Sequence, residues 1–506
     1  MICLAAPVPG THAASFSFPS RRGGKPLRHL PPLICSVNRG AETAKIVHHG
    51  GSWRRHGVWE ISPSRTWRSD RREEEQQQVW ALCGFGYWVQ GFRCFPWLAL
   101  NFHLVHALHL SPSTLQLVQH TGCLPMVAKP LFGVISDSVY IGGARRLPYI
   151  AIGAFLQLMS WGTLAFFATN RKIFSLQMAC ILLGNLGASI TEVVSDALVA
   201  ELGRTRREGE LQSHAFIALA AGALLGNLSG GFIMLKIQEP NMMFFTFCFL
   251  LALQLALSLT TRETSLDSRS SSKYRIVRSS ISENLSSKVS NLIAAINEER
   301  IFYPLSWAVA SVAIVPILSG SMFCFQTQFL KLDPSVIGLS KVIGQMMVLC
   351  ATLFYDRCLK RIPMRKLMFG MQILYAFSLL TDFFLVKQIN TKLSIPNEIY
   401  VLCFSSLAEA CAQFKILPFS VLFSQQCPSG CEASLFAFFA SAMCLSSILS
   451  GVLGVGLASL IGVSSGDYSR LHLGILFQFI SAFIPLAWIS CLPAMENLDE
   501  MQLATR

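Results

Sequence analysis

The sequence predicts an all-α, polytopic membrane protein with about twelve transmembrane helices in two pseudo-symmetric halves of six. Composition, a series of apolar runs and a repeated loop motif predict it. Of the 506 residues, 52% are hydrophobic and 14% are charged, whereas soluble domains carry about 25% charged residues. Mean hydropathy is +0.48. Because a charged side chain in hydrocarbon costs several kcal/mol, this depletion indicates long stretches inside a bilayer.

The apolar runs are of the length that a bilayer requires, roughly 20 residues for each helix. Most connections between them are short, but one long polar segment, rich in Ser and basic residues, divides the runs six and six. The approximate limits of the runs are 80–102, 114–136, 148–168, 174–199, 211–235, 241–260, 304–325, 335–356, 364–386, 397–424, 433–462 and 471–493.

A basic loop motif follows the second run of each half. The first copy is Gly133-Val-Ile-Ser-Asp137, and the second contains Asp356-Arg357, with Thr352 in place of the glycine. The two aspartates are 219 residues apart. A duplicated bundle of transmembrane helices is typical of secondary transporters, so the repeat favours solute carriage over catalysis.

The ends of the chain differ from the membrane part. The first 72 residues hold twelve Lys and Arg against three acidic residues and no run long enough to span. Such a leader resembles a transit peptide, more plastid than mitochondrial because it lacks an Arg-rich amphipathic helix; a disordered cytosolic tail is the alternative. The predicted divisions are a leader (1–72), an N-terminal bundle (79–261), a central linker (262–303), a C-terminal bundle (304–494) and a tail (495–506).

The net charge of +13 lies largely in the leader and in the loops between runs. Loops on the side of the central linker hold seventeen Lys and Arg, and the opposite loops hold seven. This asymmetry places the linker and both termini on the cytoplasmic side or, for a plastid protein, on the stromal side. A chloroplast membrane is expected, with the inner envelope preferred. It is topogenic charge, so no nucleic-acid partner is expected. The sixteen cysteines are scattered, mostly in apolar runs, and no metal or cofactor is expected.

Two carboxylates of run 4, Glu192 and Asp196, share one helix face because they are four residues apart. Inside a bilayer they cannot both stay ionised without partners. They are therefore candidates for proton coupling, for recognition of a substrate amine or for an internal salt bridge. The alternative for Asp196 is that it lies near the helix end and reaches water.

Run 10 carries the matching polar positions of the second half. Lys415 lies 219 residues after Asp196, and Gln413 and Glu409 lie in the same run. Matched helices of a two-fold bundle face one central cavity, so we expect Glu192 and Asp196 to face Lys415 and Gln413. The alternative is that Glu409 and Lys415 only stabilise packing.

Two basic residues, Arg93 and Lys129, lie within the first two runs. A buried Arg binds a carboxylate through two parallel hydrogen bonds, and Trp97 nearby is suited to stack on a flat ring. Pro125 and Pro130 interrupt run 2 and free backbone carbonyls, as broken helices do at binding sites. Snorkelling of the two basic side chains to the membrane interface is the alternative.

The basic loops are candidates for a conformational gate. Asp137 is expected to pair with Arg145 or Arg146 and to hold two helices in one arrangement, while Gly133 lets a neighbouring helix approach closely. Asp356 and Arg357 are the second copy. Topogenic charge alone is the alternative.

Run 5 contains three glycines, each four residues after the last. They predict a surface for close helix packing, located where the N-terminal and C-terminal bundles move against each other. The three glycines are Gly222, Gly226 and Gly230.

Several stretches resemble the folate–biopterin transporter family, most of all its plant plastid members. They include the segment 87–101 around Arg93, the segment 124–133 around Lys129 and the segment 185–201 around Glu192. The loop motif is similar to that of the major facilitator superfamily, in which the loop governs the switch between outward and inward states. The resemblance covers residues 79 to about 494 and implies a twelve-helix major-facilitator fold. It also implies transport of folates or other pterins, driven by a proton gradient.

The sequence is therefore interpreted as a monomeric secondary transporter, in contact with lipid, for an anionic folate or pterin. The alternative within this class is a carrier of another organic anion or solute. A membrane enzyme would need a catalytic His, Asp or Cys cluster or a nucleotide loop, and the sequence displays neither. A scaffold or receptor would leave Arg93, Lys129 and Glu192 without a reason to lie inside the bilayer.

Overall fold

A computed structural model describes most of the membrane part of the chain. It covers residues 65–139, 141–142, 144–167, 174–205, 210–237, 239–261, 289–290, 292–359, 362–426, 432–464 and 466–492. Apart from two isolated β-bridges, these residues form helices and their connections, which confirms the all-α prediction. The predicted tail, most of the leader and most of the linker lie outside the described residues.

The first six helices, α1–α6, match the first six apolar runs. Their bounds are α1, Arg65–Phe92 and Cys94–Phe102 with a π-turn at His103–Ala107; α2, Pro112–Thr121, Leu124–Val127 and Lys129–Ser138; α3, Leu147–Phe167; α4, Phe174–Thr205; α5, Glu210–Ile237; and α6, Pro240–Thr260.

The second six helices, α7–α12, match the remaining runs. Their bounds are α7, Glu299–Ala313 and Ser319–Cys324 with a π-turn at Phe325–Phe329; α8, Pro334–Arg357; α9, Met364–Val386, followed by the short helix Ile389–Lys392; α10, Asn397–Tyr400, a π-turn at Val401–Ser405, Ser406–Phe414 and Leu417–Gln426; α11, Glu432–Ile461; and α12, Leu471–Ser481 and Ile484–Cys491.

Nine of these helices, in the described part of the chain, are long and apolar enough to cross a membrane. Of the other three, α2 and α7 consist of shorter pieces in series, whereas α1 begins with a long piece, Arg65–Phe92, whose first turns are rich in charged residues. The outer surface carries large exposed apolar side chains, as a lipid-facing surface does: Phe166, Ile217, Phe249, Leu259 and Leu460.

Prolines explain the breaks in α2. Pro125 and Pro130 each lie in the first turn of a new helical piece, because proline has no N–H to continue the preceding hydrogen-bond ladder. The carbonyl of Gly122 accepts a hydrogen bond from Asn185 Nδ2 at 2.6 Å. The predicted interruption of run 2 is confirmed, and it ties α2 to α4.

The break in α7 was not predicted. It separates Ala313 from Ser319 and contains Pro316. The N–H of Ile317 in this break donates to the Ser450 carbonyl of α11 at 3.3 Å. In a continuous helix this N–H would donate to a carbonyl of the same helix. At the break it donates to α11 instead, which fixes α7 against α11.

The two halves are joined at one end of the bundle. We call the end that carries the loop at residues 139–146 the basic-loop end, and the opposite end, with the loop at 330–333, the far end. The largest apolar core cluster combines side chains of both halves, among them Leu104 of α1 and Leu318 of α7. The rings of Phe102 and Phe323 meet edge to face there, with centroids 5.3 Å apart.

Toward the basic-loop end the described core divides. One cluster, around Leu82 and Leu198, belongs to the first half, and another, around Trp307 and Phe419, belongs to the second. Apolar packing therefore closes the bundle at the far end, while each half has its own core at the basic-loop end.

Gln116 of α2 is a polar contact between the halves at the far end. It is 1% exposed, and its Nε2 donates to the carbonyls of Ile317 at 2.6 Å and Gly451 at 2.8 Å. Its Oε1 accepts from the N–H of Gly320 at 3.1 Å. One side chain of the first half thus satisfies three backbone groups of the second.

The glycine stripe of α5 packs inside one half. A Cβ at Gly222 would lie 2.1 Å from the Trp88 carbonyl oxygen of α1, and a Cβ at Gly226 would lie 2.7 Å from Cys94 Sγ. Gly230 likewise faces α1, through Leu98. The prediction that this stripe lies where the halves move is therefore wrong.

Other glycines occupy the boundary between the halves. A Cβ at Gly231 of α5 would lie 3.1 Å from Gly338 Cα of α8. Glycine at these two positions permits close approach of α5 and α8.

Candidate functional site

The buried ionic network of the first half centres on Glu192 of α4. Its Oε1 pairs with Arg93 Nη1 at 2.7 Å, and its Oε2 pairs with Lys129 Nζ at 2.6 Å. The side chains of Arg93 and Glu192 are 7% and 8% exposed. One carboxylate therefore joins cations from α1 and α2, which is how a charge is tolerated inside a bilayer.

The broken helices position this network. Arg93 lies at the junction of the two pieces of α1, and Lys129 is the first residue of the last piece of α2. Arg93 Nη2 also donates to Asn185 Oδ1 at 3.1 Å. Arg93 and Lys129 thus point inward and pair with Glu192, and the snorkelling alternative does not describe them.

Asp196 lies one turn after Glu192 and has a different partner. Its Oδ1 accepts a hydrogen bond from the hydroxyl of Tyr87 at 2.5 Å. Helix α4 continues to Thr205, so Asp196 is not at the helix end. The first half therefore holds two carboxylates, one paired with cations and one held by a neutral donor.

Lys415 does not pair across the boundary between the halves as predicted. Its side chain is buried, and Nζ donates to the Ser311 carbonyl at 3.2 Å and to Gln372 Oε1 at 3.3 Å. It lies 4.6 Å from the centroid of the Tyr375 ring. These partners belong to α7 and α9 of its own half. Glu192 instead has its cations, Arg93 and Lys129, within the first half.

Lys415 also lines a small pocket among α7, α9, α10 and α11. Its other lining residues are Val312, Ile317, Tyr375, Ala412, Ile416, Met443 and Ser447.

The second half has its own ion pair, between Lys341 of α8 and Glu409 of α10. One turn further along both helices, Gln345 Nε2 donates to Gln413 Oε1 at 3.3 Å. Lys341 was not among the residues predicted to form the site. The sequence does contain a pattern that indicates this contact. Lys341 and Gln345 are four residues apart, as are Glu409 and Gln413, so each pair lies on one face of its helix.

The two ion pairs join equivalent helices of the two halves. Lys129 and Glu192 join α2 to α4, and Lys341 and Glu409 join α8 to α10. Gln413 therefore has a partner in its own half, and the predicted contact with the carboxylates of α4 is replaced by one with Gln345.

The first basic loop forms a tight ionic cluster. Asp137 Oδ1 pairs with Arg145 Nη2 at 3.0 Å and with Arg146 Nη2 at 2.5 Å. Arg146 Nη1 donates to Ser136 Oγ at 2.8 Å and is buried. The loop thereby holds the end of α2 against the start of α3, and a Cβ at Gly133 would lie 3.3 Å from Val193 of α4.

The second basic loop differs. The side chain of Asp356 lies outside the described residues, and Arg357 is exposed. Arg365 instead donates to the carbonyl of Ser490 at 2.6 Å and to that of Leu492 at 2.7 Å. The basic residues after α8 thus include one that binds the end of α12.

Comparison with protein families decides the relationship of the chain, because the model of the BT1 family matches residues 90–506. The chain belongs to the BT1 family. Two relatives from Arabidopsis thaliana support this. The probable folate-biopterin transporter 8, chloroplastic, is 56% identical over 422 residues, 83% of this chain and 77% of that protein. The probable folate-biopterin transporter 9, chloroplastic, is 54% identical over 425 residues, 84% of this chain and 79% of that protein.

Solved structures show the fold of this BT1-family protein. The crystal structure of a D-xylose–proton symporter matches with a TM-score of 0.59 and 15% sequence identity, over 82% of this chain and 98% of that one. The fold is that of the major facilitator superfamily, as predicted. With its chloroplastic relatives and its spanning helices, this BT1-family protein is a multi-pass membrane protein of the chloroplast.

The relatives are named as transporters and not as enzymes. Among the residues that the structure describes, no group of three His, Cys, Asp or Glu side chains lies close enough to hold a metal ion. The described side chains of the site form ion pairs and hydrogen bonds.

Proposed function

We propose that this BT1-family protein is a secondary transporter that moves folates or related pterins across a chloroplast membrane by alternating access. The observation that carries the proposal is the buried Arg93–Glu192–Lys129 network inside a bundle whose halves are joined at the far end. Burying charged side chains inside a membrane protein costs free energy. Ionisable residues in such positions therefore usually mark the pathway or binding site of an ion or solute.

The chemistry of folates suits this network. A folate combines a flat pterin ring, with adjacent N–H donors, and a glutamate tail with two carboxylates. Arg93 and Lys129 are proposed to bind anionic groups, and Glu192 balances one of their two positive charges in the empty site. Gln413 is proposed to contribute from the second half. Lys415, which contacts Ser311 and Gln372, is proposed to support α10.

Coupling to protons is proposed to use Asp196. Glu192 is held by two cations, which favour its charged form, whereas Asp196 is held by the neutral hydroxyl of Tyr87. A proton bound at Asp196 changes the net charge of the network by one, and a substrate anion restores it. This charge balance is what a proton-coupled carrier of anions requires.

The location and membrane orientation of the protein are proposed from its leader and its basic loops. Residues 1–72 are proposed to be a transit peptide, and the transporter to be a monomer in the inner envelope with its basic loops in the stroma. The Asp137 cluster is proposed to govern the switch between states, because it fixes α2 against α3 at the basic-loop end.

The test is uptake of labelled folate and labelled biopterin into vesicles that contain the purified protein, with and without a pH gradient. We expect the gradient to stimulate uptake by the wild type. Asp196→Asn is expected to retain substrate exchange without a gradient, within about threefold, and to lose the stimulation, because the site of protonation is gone.

Asp467→Asn is the matched control, since Asp467 is exposed in the loop before α12. An Asp196→Asn variant as sensitive to the gradient as the wild type would disprove its part in coupling. If the wild type carried neither compound, a carrier of another organic anion would replace the proposed substrate.

A further inference from the structure

We propose that Lys341 binds a carboxylate of an anionic substrate in exchange for Glu409, and that this residue discriminates folates from pterins that carry no carboxylate. The inference rests on the proposed function and names a substrate contact within it. It begins from the two parallel contacts between α8 and α10, Lys341 with Glu409 and Gln345 with Gln413. Together they form a polar strip in which the two contacts lie about one turn apart.

The strip faces the interior of the bundle. The lipid-facing side of α8 is marked by Leu339, Met346 and Leu353, which are 38%, 44% and 58% exposed. Lys341 follows Leu339 by two residues, which turns it about 200° around the helix, to the opposite side. Gly338, nearly one turn before Lys341, packs against Gly231 of α5. Lys341 therefore lies beside the boundary between the halves.

Lys341 is also accessible. Its side chain is 41% exposed and that of Glu409 is 22% exposed, although both lie within spanning helices. A charged group exposed to hydrocarbon would cost several kcal/mol, so this exposure is to an aqueous space inside the bundle. By contrast, the side chains of Arg93 and Lys129 are 7% and 12% exposed.

An accessible ion pair is suited to exchange. Glu409 neutralises Lys341 in the empty protein, and an incoming carboxylate takes the same place at Nζ by a charge-assisted hydrogen bond. Biopterin has a pterin ring and hydroxyl groups but no carboxylate, so it gains nothing from this exchange. The two substrate classes are therefore expected to depend differently on Lys341.

The experiment measures KM for folate and for biopterin with two single variants. Lys341→Gln is expected to raise KM for folate about tenfold or more, the loss of a charge-assisted hydrogen bond, and to leave KM for biopterin within about threefold. Glu409→Gln removes the competing carboxylate, so KM for folate is expected to be equal to or lower than that of the wild type.

A purely structural ion pair predicts another pattern. Both variants would then impair both substrates alike, because each leaves one charge without its partner, and that result would overturn the proposal. Equal KM values for folate in Lys341→Gln and wild type would overturn it as well. Rates are normalised to reconstituted protein, and Lys341→Arg tests whether a cation alone suffices. Lys392→Gln, at the exposed end of the short helix Ile389–Lys392, is the control. Wild-type protein that carries neither substrate would instead disprove the proposed function.

Discussion

Replacing Glu192 with glutamine is expected to lower folate uptake to about one-hundredth of the wild-type rate or less. The variant keeps the shape of the side chain but leaves Arg93 and Lys129 buried without the carboxylate that joins them. Removal of one partner from a buried ion pair costs about 3–5 kcal/mol. Uptake into vesicles, normalised to the amount of folded protein, measures the effect.

Two other variants distinguish the effect of an unbalanced charge from a general loss of folded protein. Lys129→Ala leaves one cation, Arg93, paired with one carboxylate, Glu192. Its effect on folding is therefore expected to be milder than that of Glu192→Gln. Glu398→Gln makes the same chemical change at an exposed position and is expected to behave as wild type. Wild-type uptake by Glu192→Gln would show that the network does not serve transport.

Replacing Gln116 with leucine is expected to shift the protein toward the state that is open at the far end. The variant leaves the carbonyls of Ile317 and Gly451 and the N–H of Gly320 without this partner. At about 1 kcal/mol for each hydrogen bond, the population ratio of the two states changes roughly a hundredfold. The distance between labels at Glu239 and Lys331, one on each half at the far end, is expected to increase.

Gln119 is the matched control for this experiment. It lies nearly one turn later on α2, and its Nε2 donates to Asn101 Oδ1 at 3.0 Å within the first half. Gln119→Leu is therefore expected to leave the label distances unchanged. Label distances that respond equally to both variants would mean that Gln116 does not join the halves.

Hydrophobic run length and charge depletion were sufficient to predict the fold. Each of the twelve runs has a helix in the structure, and the interruption of run 2 was predicted from Pro125 and Pro130. The break at Pro316 was missed because the run remains apolar through it. The partner of the α5 glycines was missed because a small-residue stripe predicts close packing and does not identify the neighbouring helix.

In the first half of the bundle, the residues that pair at the candidate site were identified from the sequence, whereas in the second half the predicted contacts were wrong. Arg93, Lys129 and Glu192 were chosen because ionisable side chains inside apolar runs require partners, and they do meet. Lys415 was assigned a partner by its sequence offset from Asp196, and that assumption of strict two-fold symmetry failed. The second ion pair, at Lys341, lies earlier in its half than Lys129 does in the first, so symmetry alone does not locate it.

An experimental structure of the protein with folate bound would show directly whether the substrate lies between the two halves. We expect the folate between the two halves, within hydrogen-bonding distance of the Arg93–Lys129–Glu192 network on one side and of Lys341 on the other. Folate bound elsewhere, or a structure in which Arg93, Glu192 and Lys341 face lipid with no hollow between the halves, would contradict it.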